Sequence, residues 1–142
     1  MTAKIERGER ALDCAVREVR EETGLAALRL WALGTVTLYF DGATDTVNAL
    51  PLFAAEVDSS ASVRLSREHD ACAFLSAREA GRRFLWESQR RALELLGREV
   101  LRGGALARAL EISHLVRARA AEPRETVSRG TRRSERARAS LR

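Results

Sequence analysis

Apolar positions along the chain follow three successive patterns. Between Arg10 and Thr23, Leu12, Val16 and Val19 recur at helical spacing among charged residues, and Gly24 stands where a C-terminal glycine cap belongs, so the spacing predicts a helix over 10–23. The next stretch is rich in β-formers and predicts strands over Leu28–Leu33, Thr35–Phe40 and Thr46–Val57, with Asp41-Gly42 as a turn signal; a connected antiparallel sheet follows. Val63–Leu65 and Ala71–Leu75 read as two further short strands flanking Ser66-Arg67-Glu68-His69-Asp70. From Ser76 the period returns to that of a helix, first Ala77–Arg83 and then Glu87 to about Leu101, with Leu93, Leu96 and Val100 on one face and Gly103-Gly104 as the stop. Another helix is expected over Leu106–Arg119. Beyond Glu122 the chain is Arg, Ser, Thr, Glu and Pro with few apolar residues, and disorder is expected because little surface is available to offset the entropy of ordering.

A length of 142 residues, 45% hydrophobic, suits one compact domain rather than two. No segment approaches the roughly 20 apolar residues needed to cross a bilayer, and the opening MTAKIERGER has no apolar core of a signal peptide. A soluble cytoplasmic protein without a membrane partner is therefore expected. Cys14 and Cys72 lie far apart with no CxxC spacing and are read as buried thiols.

The net charge of +5 is unevenly spread. Residues 1–100 hold 14 Lys and Arg against 16 Asp and Glu, net −2, whereas residues 101–142 hold 11 Arg against 4 Glu, net +7. This divides the chain into a domain over 1–101 and an Arg-rich extension over 102–142, partly helical and then disordered. Such asymmetry opens a nucleic-acid-binding reading through the tail, although Lys4 is the only lysine and the arginine bias is equally a compositional habit.

The candidate chemistry sits on the first helix. Glu21 and Glu22 follow Glu18 by three and four residues, spacings that share a helix face. Three like charges one turn apart are unfavourable unless neutralised. A hard divalent cation such as Mg²⁺, which takes oxygen ligands and bridges carboxylates to phosphates, resolves the conflict. Leu12, Val16 and Val19 occupy the opposite side of the helix, so the apolar stripe can pack on the sheet while the acids face a cleft.

These residues resemble the signature of the Nudix hydrolases, G-x5-E-x7-R-E-U-x-E-E-x-G-U with U a bulky aliphatic. Glu9, Arg17, Glu18, Val19, Glu21, Glu22, Gly24 and Leu25 stand at the required positions, and Ala3 replaces the first glycine. The resemblance implies the α/β (α+β) class, an α/β/α sandwich with a mixed, largely antiparallel sheet. It implies hydrolysis of a diphosphate linkage in a nucleoside polyphosphate or related nucleotide by a metal-activated water. Glu18, Glu21 and Glu22 would ligate Mg²⁺ or Mn²⁺, Arg17 would orient them by ion pairing, Glu9 would support the loop and helix, and Thr2 would offer a backbone carbonyl. Downstream, Ser66-Arg67-Glu68-His69-Asp70-Ala71, Phe74-Leu75-Ser76, Glu79-Ala80, Trp86 and Gln89 resemble the region after the box in dinucleoside tetraphosphate hydrolases and deoxyadenosine triphosphate pyrophosphohydrolases. That likeness gives Glu68 a role as a further metal ligand or the general base. His69 is left outside the catalytic set as a structural histidine, and Trp31, Tyr39 and Phe40 are assigned to the core rather than to base stacking.

In the family the box follows several tens of residues that form the first strands, whereas here it begins at Ala3. The expectation is a domain lacking those strands, with a start codon upstream preferred over a degraded gene product or strands supplied by the Arg-rich tail or another subunit, and with an exposed sheet edge and weak or no turnover by residues 1–142 alone. The rival readings are a catalytically inactive Nudix domain that binds nucleotide or a partner, and the nucleic-acid-binding module already named.

Overall fold

A computed structural model describes residues 5–120. Helix α1 spans Ala11–Thr23 and ends as its sequence predicts: Gly24 adopts φ +70° and donates its N–H to the Arg20 carbonyl. Its apolar side packs across the two strands that follow, β1 (Ala27–Asp41) and β2 (Thr46–Val57). Among the described residues these make a single two-stranded antiparallel sheet. The fold is thus α+β, and the mixed character expected of the sheet does not appear in this pair. The hairpin turns at residues 42–45, where Asp41 accepts hydrogen bonds from the Ala43 N–H at 2.9 Å and the Thr44 hydroxyl at 2.9 Å, and Asp45 takes φ +51°. A short acceptor side chain at the turn's first position therefore closes it.

The strands predicted as Leu28–Leu33 and Thr35–Phe40 are one strand with an irregularity between them. Pairing steps from Ala32 opposite Phe53 to Val36 opposite Pro51, so Leu33, Gly34 and Thr35 stand against Leu52 alone. A bulge of this kind frees backbone groups. Here the Gly34 N–H donates to Glu99 Oε2 at 3.0 Å, and Glu99, only 6% exposed, also accepts from Arg98 at 2.7 Å. Those two hydrogen bonds hold the Glu99 carboxyl below its usual range, the Gly34 N–H contributing most.

Glu99 reaches the bulge because of a change in helix pitch. Helix α2 (Ala77–Arg83) leads to α3 (Glu87–Leu96), which widens into a π-helical turn over Gly97–Leu101 and points both Glu99 and Val100 inward. Trp31, Leu33, Leu95 and Val100 form the buried cluster, with Leu52, Ala54, Leu96 and Leu110 packed at its margin. The Trp31 indole N–H is buried without a hydrogen-bond partner among the described residues. The Arg29 guanidinium lies 4.6 Å from its ring centroid, a favourable cation–π arrangement.

The helix expected over 106–119 is broken into α4 (Ala105–Leu110) and α5 (Ser113–Ala120). The break is where the chain pairs with β1: Glu111 bridges Trp31, the Ile112 N–H donates to the Leu30 carbonyl at 2.8 Å, and the Leu30 N–H donates to Ser113 Oγ at 3.0 Å. The two backbone polar groups of Leu30 are thereby both satisfied, which a continuous helix over this stretch would not do. Residues from 121 onward, where disorder is expected, lie outside the described residues, as do Thr2 and Ala3.

Two expected strands are absent. Val63–Leu65 and Ala71–Leu75 are irregular, and 71–75 are all exposed. Among the described residues neither pairs with a strand, and the Arg64 N–H is bonded instead to the Thr23 carbonyl at the end of α1. Cys72 is therefore exposed and not a buried thiol, whereas Cys14 is buried as expected. No helix among the described residues is long and apolar enough to cross a membrane.

A methyl group at position 24 would lie 3.2 Å from Arg64 Cβ and would occupy a left-handed backbone conformation. Gly24→Ala is expected to destabilise the fold by roughly 1–2 kcal/mol, the cost of forcing an L-residue into that region, visible as a lower midpoint in thermal unfolding followed by circular dichroism. An unchanged midpoint would show that residue 24 does not hold the left-handed conformation described.

Candidate active site

The site is organised by one guanidinium. Arg17 projects from the middle of α1 and donates through Nε to Glu9 Oε1 at 2.9 Å and through Nη2 to Glu9 Oε2 at 3.1 Å, a bidentate pair. Its Nη1 donates to Glu18 Oε1 and to Glu21 Oε2, the latter at 2.9 Å, and Nη2 also lies 3.4 Å from Cys14 Sγ. Arginine is the one side chain with enough donors, in a fixed fork, to serve three carboxylates at once. Glu9 and Glu18 are largely covered, at 14% and 16% exposure, whereas Glu21 is open at 59%.

Glu9 also receives the Glu6 N–H at 3.0 Å, which ties the segment before the helix to the same cation. The Arg17 hydrogen bonds, followed by that backbone donor, bring the Glu9 carboxyl down to about 2, and the same carboxylates push Arg17 further up, Glu9 most and then Glu21. Burial pushes the Cys14 thiol up. It is a packed neighbour of the cluster and not a nucleophile.

Glu22 is held from another direction. The segment after β2 crosses the end of α1, where the Arg64 N–H donates to the Thr23 carbonyl at 2.8 Å and the Ser66 N–H donates to the Glu22 carbonyl at 3.2 Å. These carbonyls are among those a helix terminus leaves without an intrahelical partner. The clamp brings His69 Nε2 to 3.1 Å from Glu22 Oε2, with Glu22 only 13% exposed. Glu68, the loop acid singled out from the sequence, is exposed. Its backbone N–H reaches Ser66 Oγ at 3.4 Å, and its carboxylate makes no hydrogen bond or ion pair with a described residue. The loop residue that touches the helix acids is therefore His69, which the sequence reading set aside. The signal for it was its place directly after Glu68, on a loop anchored at Ser66.

Glu18, Glu21 and Glu22 thus lie on neighbouring turns of one helix flank, each with one carboxylate oxygen engaged by Arg17 or His69. Among the described residues no three His, Cys, Asp or Glu side chains are gathered closely enough to hold a metal ion together. The donor set nonetheless fits a hard divalent cation in kind, because it offers carboxylate oxygens only and leaves one oxygen of each acid without a hydrogen bond to a described residue. The other residues of the downstream resemblance do local work. Ser76 and Glu79 cap α2 reciprocally, with the Ser76 N–H donating to Glu79 Oε2 at 3.0 Å and the Glu79 N–H to Ser76 Oγ at 3.3 Å, and Gln89 accepts the Trp86 N–H at 3.1 Å at the start of α3. Trp31 is buried in the core as expected, while Tyr39 and Phe40 are 42% and 63% exposed on the hairpin and so are not core residues.

A family model for the NUDIX domain matches residues 3–96, more than half of the chain. The chain belongs to the Nudix family, whose members generally use divalent metals. No curated protein matches it.

The Glu9 carboxyl titrates near 2 in the folded state against 4.5 unperturbed, so its pair with Arg17 stabilises the fold fully above pH 4.5 and loses that contribution as pH falls toward 2. Glu9→Gln should therefore lower the urea unfolding midpoint at neutral pH, and the gap from the unaltered chain should close as pH is lowered through that window. A gap that persists undiminished at the acid end would show that the carboxyl is not held ionised by Arg17.

Proposed function

We propose that the chain is a Nudix pyrophosphohydrolase that cleaves a diphosphate linkage in a nucleoside polyphosphate or related nucleotide. The observation that carries this reading is the Arg17 hub, in which one cation joins Glu9, Glu18 and Glu21 at the spacings of the family box. Glu18, Glu21 and Glu22 would hold Mg²⁺ or Mn²⁺, with Glu68 as a further ligand from the loop. Bound there, the cation supplies neutralisation of the diphosphate oxygens and a lowered pKa for a coordinated water.

The chain's own groups do the rest. Arg17 fixes the rotamers of Glu18 and Glu21, so they need not reorganise when substrate arrives. A water oxygen forms its bond to phosphorus while the bond from phosphorus to the bridging oxygen breaks, and the electron pair leaves with that oxygen. The proton from the water passes to a carboxylate, either Glu18 on the helix or Glu68 on the loop. Glu68 suits the second role because its carboxylate makes no hydrogen bond to a described residue.

Release of phosphate-containing fragments from a panel of nucleoside polyphosphates is expected only with Mg²⁺ or Mn²⁺ present and is expected to stop on adding a chelator. Glu18→Gln and Glu22→Gln should each lower kcat/KM by about 10²–10⁴-fold, the range set by removing a proton acceptor or part of the charge-stabilising site. Nucleotide binding without turnover in any divalent metal would favour the binding-only reading instead. Loss of turnover in Glu68→Gln with metal affinity retained would assign the base to the loop.

A further inference from the structure

We propose that His69 is a positioning residue for Glu22: by donating from Nε2 to one carboxylate oxygen it fixes the other toward the face where a divalent cation binds. This rests on the reading of Glu22 as a metal ligand. A carboxylate only accepts hydrogen bonds, so at 3.1 Å the ring nitrogen is the donor and Oε2 the acceptor. The contact is built by the fold and does not depend on a long side chain finding a partner by chance. Ser66 and Arg64 are bonded through their backbone N–H groups to the carbonyls of Glu22 and Thr23, and the His69 N–H returns to the Ser66 carbonyl at 3.3 Å, which makes a turn of the intervening residues. One loop thus meets both the backbone and the side chain of Glu22.

The environment of Glu22 sets it apart from its two companions. Glu18 and Glu21 are oriented by Arg17, whose Nη1 serves both, whereas no hydrogen bond from Arg17 to Glu22 is present. Without His69, Glu22 would have no described side-chain donor to choose its rotamer. A free glutamate side chain loses rotamer entropy when it is immobilised, and ordering it before the ligand arrives removes that cost from the binding step. Hydrogen-bond partners of metal-bound carboxylates and imidazoles elsewhere are worth roughly 10–100-fold in metal affinity.

Mn²⁺ binding to the chain, measured by electron paramagnetic resonance without nucleotide, tests the idea independently of turnover. His69→Ala should weaken Mn²⁺ binding by about 10–100-fold, and His69→Phe, which keeps the ring volume without a donor, should fall with it. His69→Gln, whose amide retains an N–H, should recover most of the loss. Thermal unfolding of the metal-free variants should change little, because the histidine is 44% exposed and such pairs add little to stability. Mn²⁺ affinity that is unchanged or tighter in both His69→Ala and His69→Phe, with affinity lost in Glu22→Gln, would overturn the role of His69 and leave Glu22 a ligand. Affinity unchanged in Glu22→Gln would show instead that the underlying ligand assignment is wrong.

Discussion

One cation on the first helix has to satisfy more negative charge than it carries. Arg17 meets Glu9, Glu18 and Glu21 together, which leaves the flank acidic even when every contact is made. An isolated surface pair contributes little to stability, but a shared guanidinium with two largely covered partners orders several side chains through one hydrogen-bonded centre. The division of labour is uneven. Glu9 takes Nε and Nη2 and ties residues 6–9 to the helix. Glu18 and Glu21 each give one oxygen and leave the other without a hydrogen bond to a described residue. A lysine at position 17 would carry the same charge and could not make this arrangement, since it lacks the planar fork.

The second constraint is the close seat of the loop on the end of α1. Gly24 permits it twice over: its positive φ ends the helix, and its missing Cβ leaves room for the Cβ of Arg64. Once the Thr23 and Glu22 carbonyls are occupied by Arg64 and Ser66, the loop has little freedom near the helix acids. The glycine and leucine that close the family box are thus architectural. Leu25, 6% exposed, turns the chain into the core directly after the cap, so box residues with no chemistry of their own fix where the acids stand.

Much of this was legible in the sequence, and the exceptions share a cause. Helices α1, α2 and α3 follow from helical spacing and from the Gly24 cap, which are local signals, and the hairpin follows from its β-formers and the Asp41-Gly42 turn. What could not be read depended on contacts between distant segments. Nothing near Gly34 announces that its N–H will be taken by Glu99, nothing near Glu111 announces that Ile112 will bond Leu30, and so the sequence predicts two strands in place of one bulged strand and one helix in place of two. The strands expected at Val63–Leu65 and Ala71–Leu75 fail for the converse reason: short apolar runs have strand propensity, but a strand exists only beside another. The same limit applied at the site, where spacing along α1 showed the carboxylates and could not show which loop side chain would face them.

The interlock between Glu99 and Gly34 also divides the hairpin into two mechanically different halves. On the helix side of the bulge, Leu30, Trp31 and Leu33 are buried, with helices against both faces, so the strand is rigid where α1 rests on it. Beyond the bulge, Val36 pairs with Pro51, Leu38 with Ala49 and Phe40 with Val47, and directly opposed residues share a face. That face is wholly apolar, yet Val36, Leu38, Phe40 and Val47 are 54–70% exposed. A two-stranded ribbon with an uncovered face has little to hold its twist or register, so the distal half is the softer part of the described structure. All the buried positions of β1, Leu30, Trp31 and Leu33, lie before Gly34, so the part of the strand that helices cover ends at the bulge and the exposed apolar face begins beyond it.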